Sequence, residues 1–253
     1  MTKTATLLEI IKKSPERNSV ALKLEAKYTG LSPTFPILNM SRRPTPPITL
    51  NEYERLFRVI HAVFSAEGGD PSTRCLFFSV AGAYVLSHHH KLKAVSPIAG
   101  MAGYNLQSGT DSTIIFGSIE DGKPVSDAEH HHCWIEAEGW IIDLCAPLFD
   151  SMAPEARQQT SILPKMFQKP VLHDARLEQL ANPGAYVHAA NDRLSTTLLT
   201  SFTEKPAYSD LVRICDQWYS RPPRKLTPAI RIADEDGRPK DVSLSPIRIA
   251  GIW

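Results

Sequence analysis

Three residues in this chain, taken in order, are the types that thiol-dependent acyl chemistry requires: Cys75, His132 and Asp143. A thiol attacks a carbonyl well only as thiolate, so it needs an imidazole to take its proton, and the imidazole needs an acceptor to fix its tautomer. Cys75 stands near the start of DPSTRCLFFSVAGAYVLSHHH, where Asp70, Ser72 and Thr73 are cap-type residues with Pro71 among them. In the first turn of a helix, unpaired N–H groups and the positive end of the macrodipole favour a thiolate.

The other two sit in His132-Cys-Trp-Ile-Glu-Ala-Glu-Gly-Trp-Ile-Ile-Asp143, which predicts two strands turning at Glu138-Gly139. If Ala137 pairs with Trp140, then Trp134 faces Asp143, and His132 becomes a diagonal neighbour of Asp143 on one face. Such neighbours lie roughly 7–8 Å apart at the backbone, within reach of an imidazole and a carboxylate that lean together. His131 points to the other face, as does Cys133. His130 has the parity of His132 but stands one step farther away. Cys145 falls opposite His132 in the same register, on a strand without a helix start to lower its pKa, and ranks below Cys75.

The elements that must hold these residues follow from periodicity. Leu56, Val59, Ile60, Val63 and Phe64 recur at helical spacing behind Asn51 and Glu52, and Gly68-Gly69 ends that helix. Leu76 to Leu86 is apolar on every face, so the second helix must be central. LKAVSPIAG, TIIFGSIE, HHHCWIEAE and GWIIDLCAP have strand character. The layout predicted is α+β: a central helix carrying the cysteine packed on an antiparallel sheet carrying the histidine and aspartate. Residues 1–48 read as a helical and Pro-rich extension, with five prolines between Ser32 and Pro47. Residues 49–150 form the catalytic core. Residues 151–253 follow as an extension with helices in LEQLA, RLSTTLLTSF and SDLVRICDQWY and a hairpin around Asp236-Gly237.

His132-x-Trp134-Ile135-Glu136 followed by Gly139-Trp140-x-x-Asp143 is similar to the strand pair of transglutaminase-like domains. With the cysteine upstream on a buried helix, the stretch from Thr49 to Pro147 resembles the papain-like and transglutaminase-like cysteine enzymes, including an uncharacterised bacterial domain family in that group. The resemblance implies a papain-like core, a Cys75–His132–Asp143 triad, an acyl-enzyme and a peptide, protein or small amide substrate. Ser72-Thr73-Arg74 stands where relatives carry a Gly-rich or Trp-bearing stretch, and the resemblance singles out neither a particular substrate nor a side-chain oxyanion donor.

Composition narrows the partners. With 28 Lys and Arg against 27 Asp and Glu, no net field draws the chain onto nucleic acid or an anionic membrane. Charges interrupt the first dozen residues and no apolar run reaches ~18, so the expectation is a soluble cytoplasmic protein with four free thiols. No cofactor is expected. The runs His88-His89-His90 and His130-His131-His132 invite a metal, but consecutive side chains diverge and thiol or carboxylate ligands at the usual spacings are missing, so no metal ligand is assigned. Two alternatives accompany the enzyme reading: a non-catalytic binding module keeping a papain-like fold, and a His-based metal hydrolase.

Overall fold

The computed structural model describes residues 45–68, 74–106, 113–152, 162–172, 176–222, 225–233 and 236–253. The N-terminal extension up to residue 44 and the cap residues before Arg74 lie outside these. Helix α1 (Leu50–Ala66) opens on a capping box, Thr49 Oγ1 accepting from Glu52 N at 3.3 Å while Glu52 Oε2 accepts from Thr49 N at 2.7 Å. The cap is thus Thr49, two residues ahead of the polar pair that marked the start in the sequence.

Helix α2 (Arg74–His89) is buried on all sides from Phe77 to Ala83, as its continuous apolar run demands. Phe77 and Phe78 pack against Phe64 and Phe57 of α1 with tilted rings, at 5.4 and 6.1 Å between ring centroids. On its sheet side Gly82 is needed for close approach: a Cβ there would fall 2.3 Å from Leu144 Cδ1 and 2.7 Å from Ile135 Cδ1.

The main sheet is antiparallel throughout. Strand β1 (Ser96–Asn105) is its spine, with β5 (His132–Ala137) on its first half and β2 (Thr113–Phe116) on its second. A short hairpin of β3 (Ser118–Glu120) and β4 (Lys123–Val125) joins β2 to β5. Strand β6 (Trp140–Asp143) pairs with β5 and with β7 (Phe167–Pro170), while β8 (Tyr186–Ala190) takes the other edge of β1. The sheet curls until its ends meet: Tyr186 of β8 donates to the Pro170 carbonyl of β7 at 2.8 Å, and its ring packs 5.4 Å from Phe167.

The stretch after residue 150 therefore supplies two strands of the main sheet. It also supplies α4 (Asp192–Thr203), α5 (Pro206–Tyr219) and a hairpin of β9 (Ala229–Ala233) and β10 (Pro239–Ser243); LEQLA is a 3-10 turn, and α3 (Phe149–Met152) is a single turn. The outcome is an α+β fold with α2 on one face of a curled antiparallel sheet.

Candidate functional site

The β5–β6 hairpin has the register that the turn requires, with Ala137 opposite Trp140, Glu136 opposite Ile141 and Ile135 opposite Ile142. Glu138 and Gly139 both have positive φ, 51° and 80°, so the connection is a two-residue turn of the mirror-image kind, and glycine relieves the second position. One residue past the last pair lies Asp143, and diagonally across from it His132. Neither exposes any surface. Their side chains meet, His132 Nε2 to Asp143 Oδ2 at 2.8 Å.

Asp143 is held by more than the histidine. Its Oδ1 accepts from Cys145 N at 2.8 Å, its Oδ2 accepts from Tyr104 OH at 2.7 Å, and Tyr53 of α1 donates to its backbone carbonyl. Tyr104 also lies 2.8 Å from His188 Nε2. A phenol has one hydrogen, so the chain of donors is fixed: His188 Nε2–H donates to Tyr104, and Tyr104 donates to Asp143. Burial opposes charge on Asp143, yet the imidazolium of His132 and these donors keep its carboxyl below the usual range. His132 is pushed up to about 10: burial works against its charge, and the Asp143 carboxylate outweighs that, with the Cys75 thiol adding to it. His188 goes the other way, down to about 3, because burial disfavours its charge and His132 repels it. Part of His188 faces a cavity, but Nδ1 is sealed and Nε2 is engaged, so the neutral form is what the site holds.

Cys75 is in the first turn of α2 and 5 % exposed. Its thiol interacts with the side chains of Cys133, His131 and His132, and it lies well below the usual thiol range. Hydrogen bonding to Cys133 is the largest cause; burial opposes it, and His131 and the charge of His132 add to it. The Nδ1 of His132 is enclosed without a hydrogen-bond partner, and the Cys75 thiol adds to the electrostatics of the ring. The other thiols are pushed up by burial, Cys133 and Cys145 further by neighbouring negative charge and Cys215 beyond reach of neutral pH. All four are free.

The structure thus brings His132 against Asp143, and Cys75 into electrostatic contact with His132. Cys145 is elsewhere than its register suggested, since β6 ends at Asp143 and Cys145 opens a 3-10 turn (Ala146–Leu148). His130 is exposed, its ring 3.3 Å from Asp127 Oδ1. A thiol and imidazole cluster that the spacing did not indicate is also present: one donor atom each from Cys75, His131 and Cys133 lie within 4.8 Å of one another. Neighbouring histidines diverge, as reasoned, but His131, the residue before β5, and Cys133 within it are two apart, and α2 brings Cys75 to them.

Tyr104 and His188 had no sequence mark. They are diagonal neighbours across β1 and β8, where Ala102 opposes His188 and Tyr104 opposes Tyr186, a pairing between stretches 84 residues apart. A cavity of about 490 Å³ lies beside His188, lined also by Glu136, Val171, Arg176 and Glu178. It does not include Cys75. Next to Cys133 runs a crevice between Leu76, Ala99, Ser195 and Leu199, too tight for water. Among the described residues no helix is long and apolar enough to cross a membrane.

Comparison with known proteins gives a family and a fold. Residues 49–253 match the family model described as "Protein of unknown function (DUF2026)", and the chain belongs to that family. A solved structure described as the crystal structure of genomics APC5867 is similar, with a TM-score of 0.72 and 26 % identity, covering 84 % of this chain and 100 % of that one. No curated protein matches the chain.

Proposed function

We propose that this DUF2026 member is a cysteine-dependent hydrolase or acyltransferase with a papain-like or transglutaminase-like core, acting on an amide-type carbonyl. Cys75 is the nucleophile, His132 the base and acid, and Asp143 the residue that orients His132. The observation that supports the reading is His132 itself: fully buried, bound to Asp143 through Nε2, with the Cys75 thiol among the groups that raise its pKa.

In the reaction, Cys75 sulfur bonds to the carbonyl carbon and the carbonyl electrons move to oxygen, beside the N–H groups of the first turn of α2. His132 Nδ1 gives its proton to the leaving amine as the C–N bond breaks, leaving a thioester. Water or a second amine then attacks the thioester while Nδ1 takes a proton, and Cys75 departs as thiolate. Asp143 keeps the imidazolium charged and aimed throughout.

The test is alkylation of the reduced native protein by iodoacetamide, with chelator present and the labelled cysteines mapped. Cys75 is expected to react first, at a rate that persists below pH 7 and drops at least about tenfold in His132→Ala. Labelling of Cys145 first, or equal rates at all four thiols, overturns the assignment. The 5 % exposure of Cys75 favours a second reading, a binding module that keeps the fold without turnover. On that reading Cys75 stays unlabelled until the protein is unfolded.

A further inference from the structure

We propose that Cys75, His131 and Cys133 form a binding site for a thiophilic divalent metal of the Zn²⁺ class, and that metal here and acyl chemistry at Cys75 exclude one another. The metal site stands on its own geometry; only the exclusion rests on the nucleophile assigned above.

The donors come from two rigid elements that the fold presses together. His131 and Cys133 flank His132 and lie on the sheet face that α2 covers, while Cys75 enters from the first turn of that helix. The three donor atoms are within 4.8 Å of one another. With Zn–S near 2.3 Å and Zn–N near 2.0 Å, donors on one tetrahedral ion stand roughly 3.5–3.8 Å apart, so closure takes about 1 Å of side-chain rotation. Nδ1 of His131 is enclosed without a hydrogen-bond partner, and the His131 side chain acts on the Cys75 thiol. An ion at this cluster gives that ring a partner.

The chemistry of the set selects the ion. Two sulfurs and an imidazole, with no carboxylate among them, suit Zn²⁺ and disfavour Mg²⁺ or Ca²⁺. Both sulfurs bind as thiolates, so each thiol proton that Cys75 or Cys133 carries leaves as its M–S bond forms, beside one M–N bond to His131. The two thiolates cancel the charge of the ion, so the occupied site adds no net positive charge beside the His132 imidazolium. Three chain ligands leave a fourth position for water. The Cys75 lone pair that would attack a carbonyl is then committed to the metal.

The experiment uses the full chain, stripped with chelator, dialysed and held reduced by a phosphine, then titrated with Co²⁺. Expected are one equivalent bound, a near-ultraviolet sulfur-to-cobalt charge-transfer band, visible bands of tetrahedral intensity, and loss of both when Zn²⁺ is added. Cys133→Ser and His131→Ala should each weaken binding by more than about tenfold, since even residues behind the ligands cost 10–100-fold, while the exposed His130→Ala should leave it unchanged. If Cys133→Ser fails to fold, the partly exposed His131→Ala carries the comparison. Absence of the charge-transfer band in folded protein overturns the site, as does a band unchanged in His131→Ala. Zn²⁺ should also abolish Cys75 alkylation. Binding without protection of Cys75 keeps the metal site and overturns the exclusion, independently of whether metal-free Cys75 proves to be the fast thiol.

Discussion

Two runs of three histidines occupy opposite ends of the same structural argument. His88-His89-His90 closes helix α2, where successive side chains fan around the axis, and each finds a partner near the surface: His88 and His89 share Asp216, while His90 meets Tyr219 at 2.7 Å. His130-His131-His132 enters strand β5, where alternation sends His131 toward Cys75 and Cys133 and His132 toward Asp143, and His130 stays in solvent. The same tripeptide makes a set of partly solvated pins in one place. In the other it sends one buried imidazole to the Asp143 carboxylate on one face and another to the Cys75 and Cys133 thiols on the opposite face. Identity of the residues decides little; the period of the backbone and the depth of burial decide the chemistry.

The largest effect that separates the two regions should come from Asp143→Asn. An amide N–H₂ toward His132 stabilises the wrong tautomer and withdraws the charge that holds it near 10. Turnover should fall on the order of 10²-fold, and the alkylation profile of Cys75 should move to higher pH. A lowered thermal midpoint with an unmoved alkylation profile would confine Asp143 to a structural role.

The pH dependence of stability sharpens the contrast, because its sign is set by the strand region. His132 is raised to about 10, so its contribution is complete below about 6.5 and lost as pH rises to 10. Cys75 is lowered, so its contribution is complete above about 9 and lost as pH falls. Between 6.5 and 9 the two slopes cancel, and stability should be flat. Below 6.5 the unfolded chain also protonates His188, which the fold holds neutral down to about 3. Unfolding then takes up between one and two protons, a loss of about 1.4–2.7 kcal/mol per pH unit. Chemical denaturation at pH 5, 7 and 8.5 tests this; a maximum at pH 5 would remove the ion pair from the account.

Tyr104→Phe takes one donor from Asp143 and leaves His188 Nε2–H buried without an acceptor. It should cost about 1–3 kcal/mol in denaturant unfolding while Cys75 remains the first thiol alkylated. The smallest effect belongs to the helix run. His89→Ala removes a 2.9 Å contact to Asp216 between side chains 29 % and 24 % exposed, and should cost under about 1 kcal/mol with no change at Cys75. A change in alkylation there would couple the two runs through α2.

Much of this was legible in local sequence because it rests on local geometry. Helix α2 followed from an apolar run, the β5–β6 register from a glycine turn, and the approach of His132 to Asp143 from parity across that turn. The structure goes beyond the sequence where partners are distant. Tyr104 and His188 meet only through the pairing of β1 with β8, and no property of either residue in its own stretch forecasts it. Cys133 is a different case. Its face was readable from parity, but that α2 lays Cys75 over that face depends on Gly82 allowing the helix to sit against Ile135 and Leu144.

The long reach of β1 also sets an order of events during synthesis. Its partners on β5 are separated from it by a few tens of residues, whereas Tyr104 waits for His188, 84 residues on. Closing the longer loop is the costlier search, and topologies dominated by such pairings fold slowly. A chain emerging N-terminus first therefore carries Cys75, His132 and Asp143 before the strand that completes the hydrogen-bond chain behind Asp143 has been made. The buried support behind Asp143 is thus completed late, after β8 has closed the edge of the sheet.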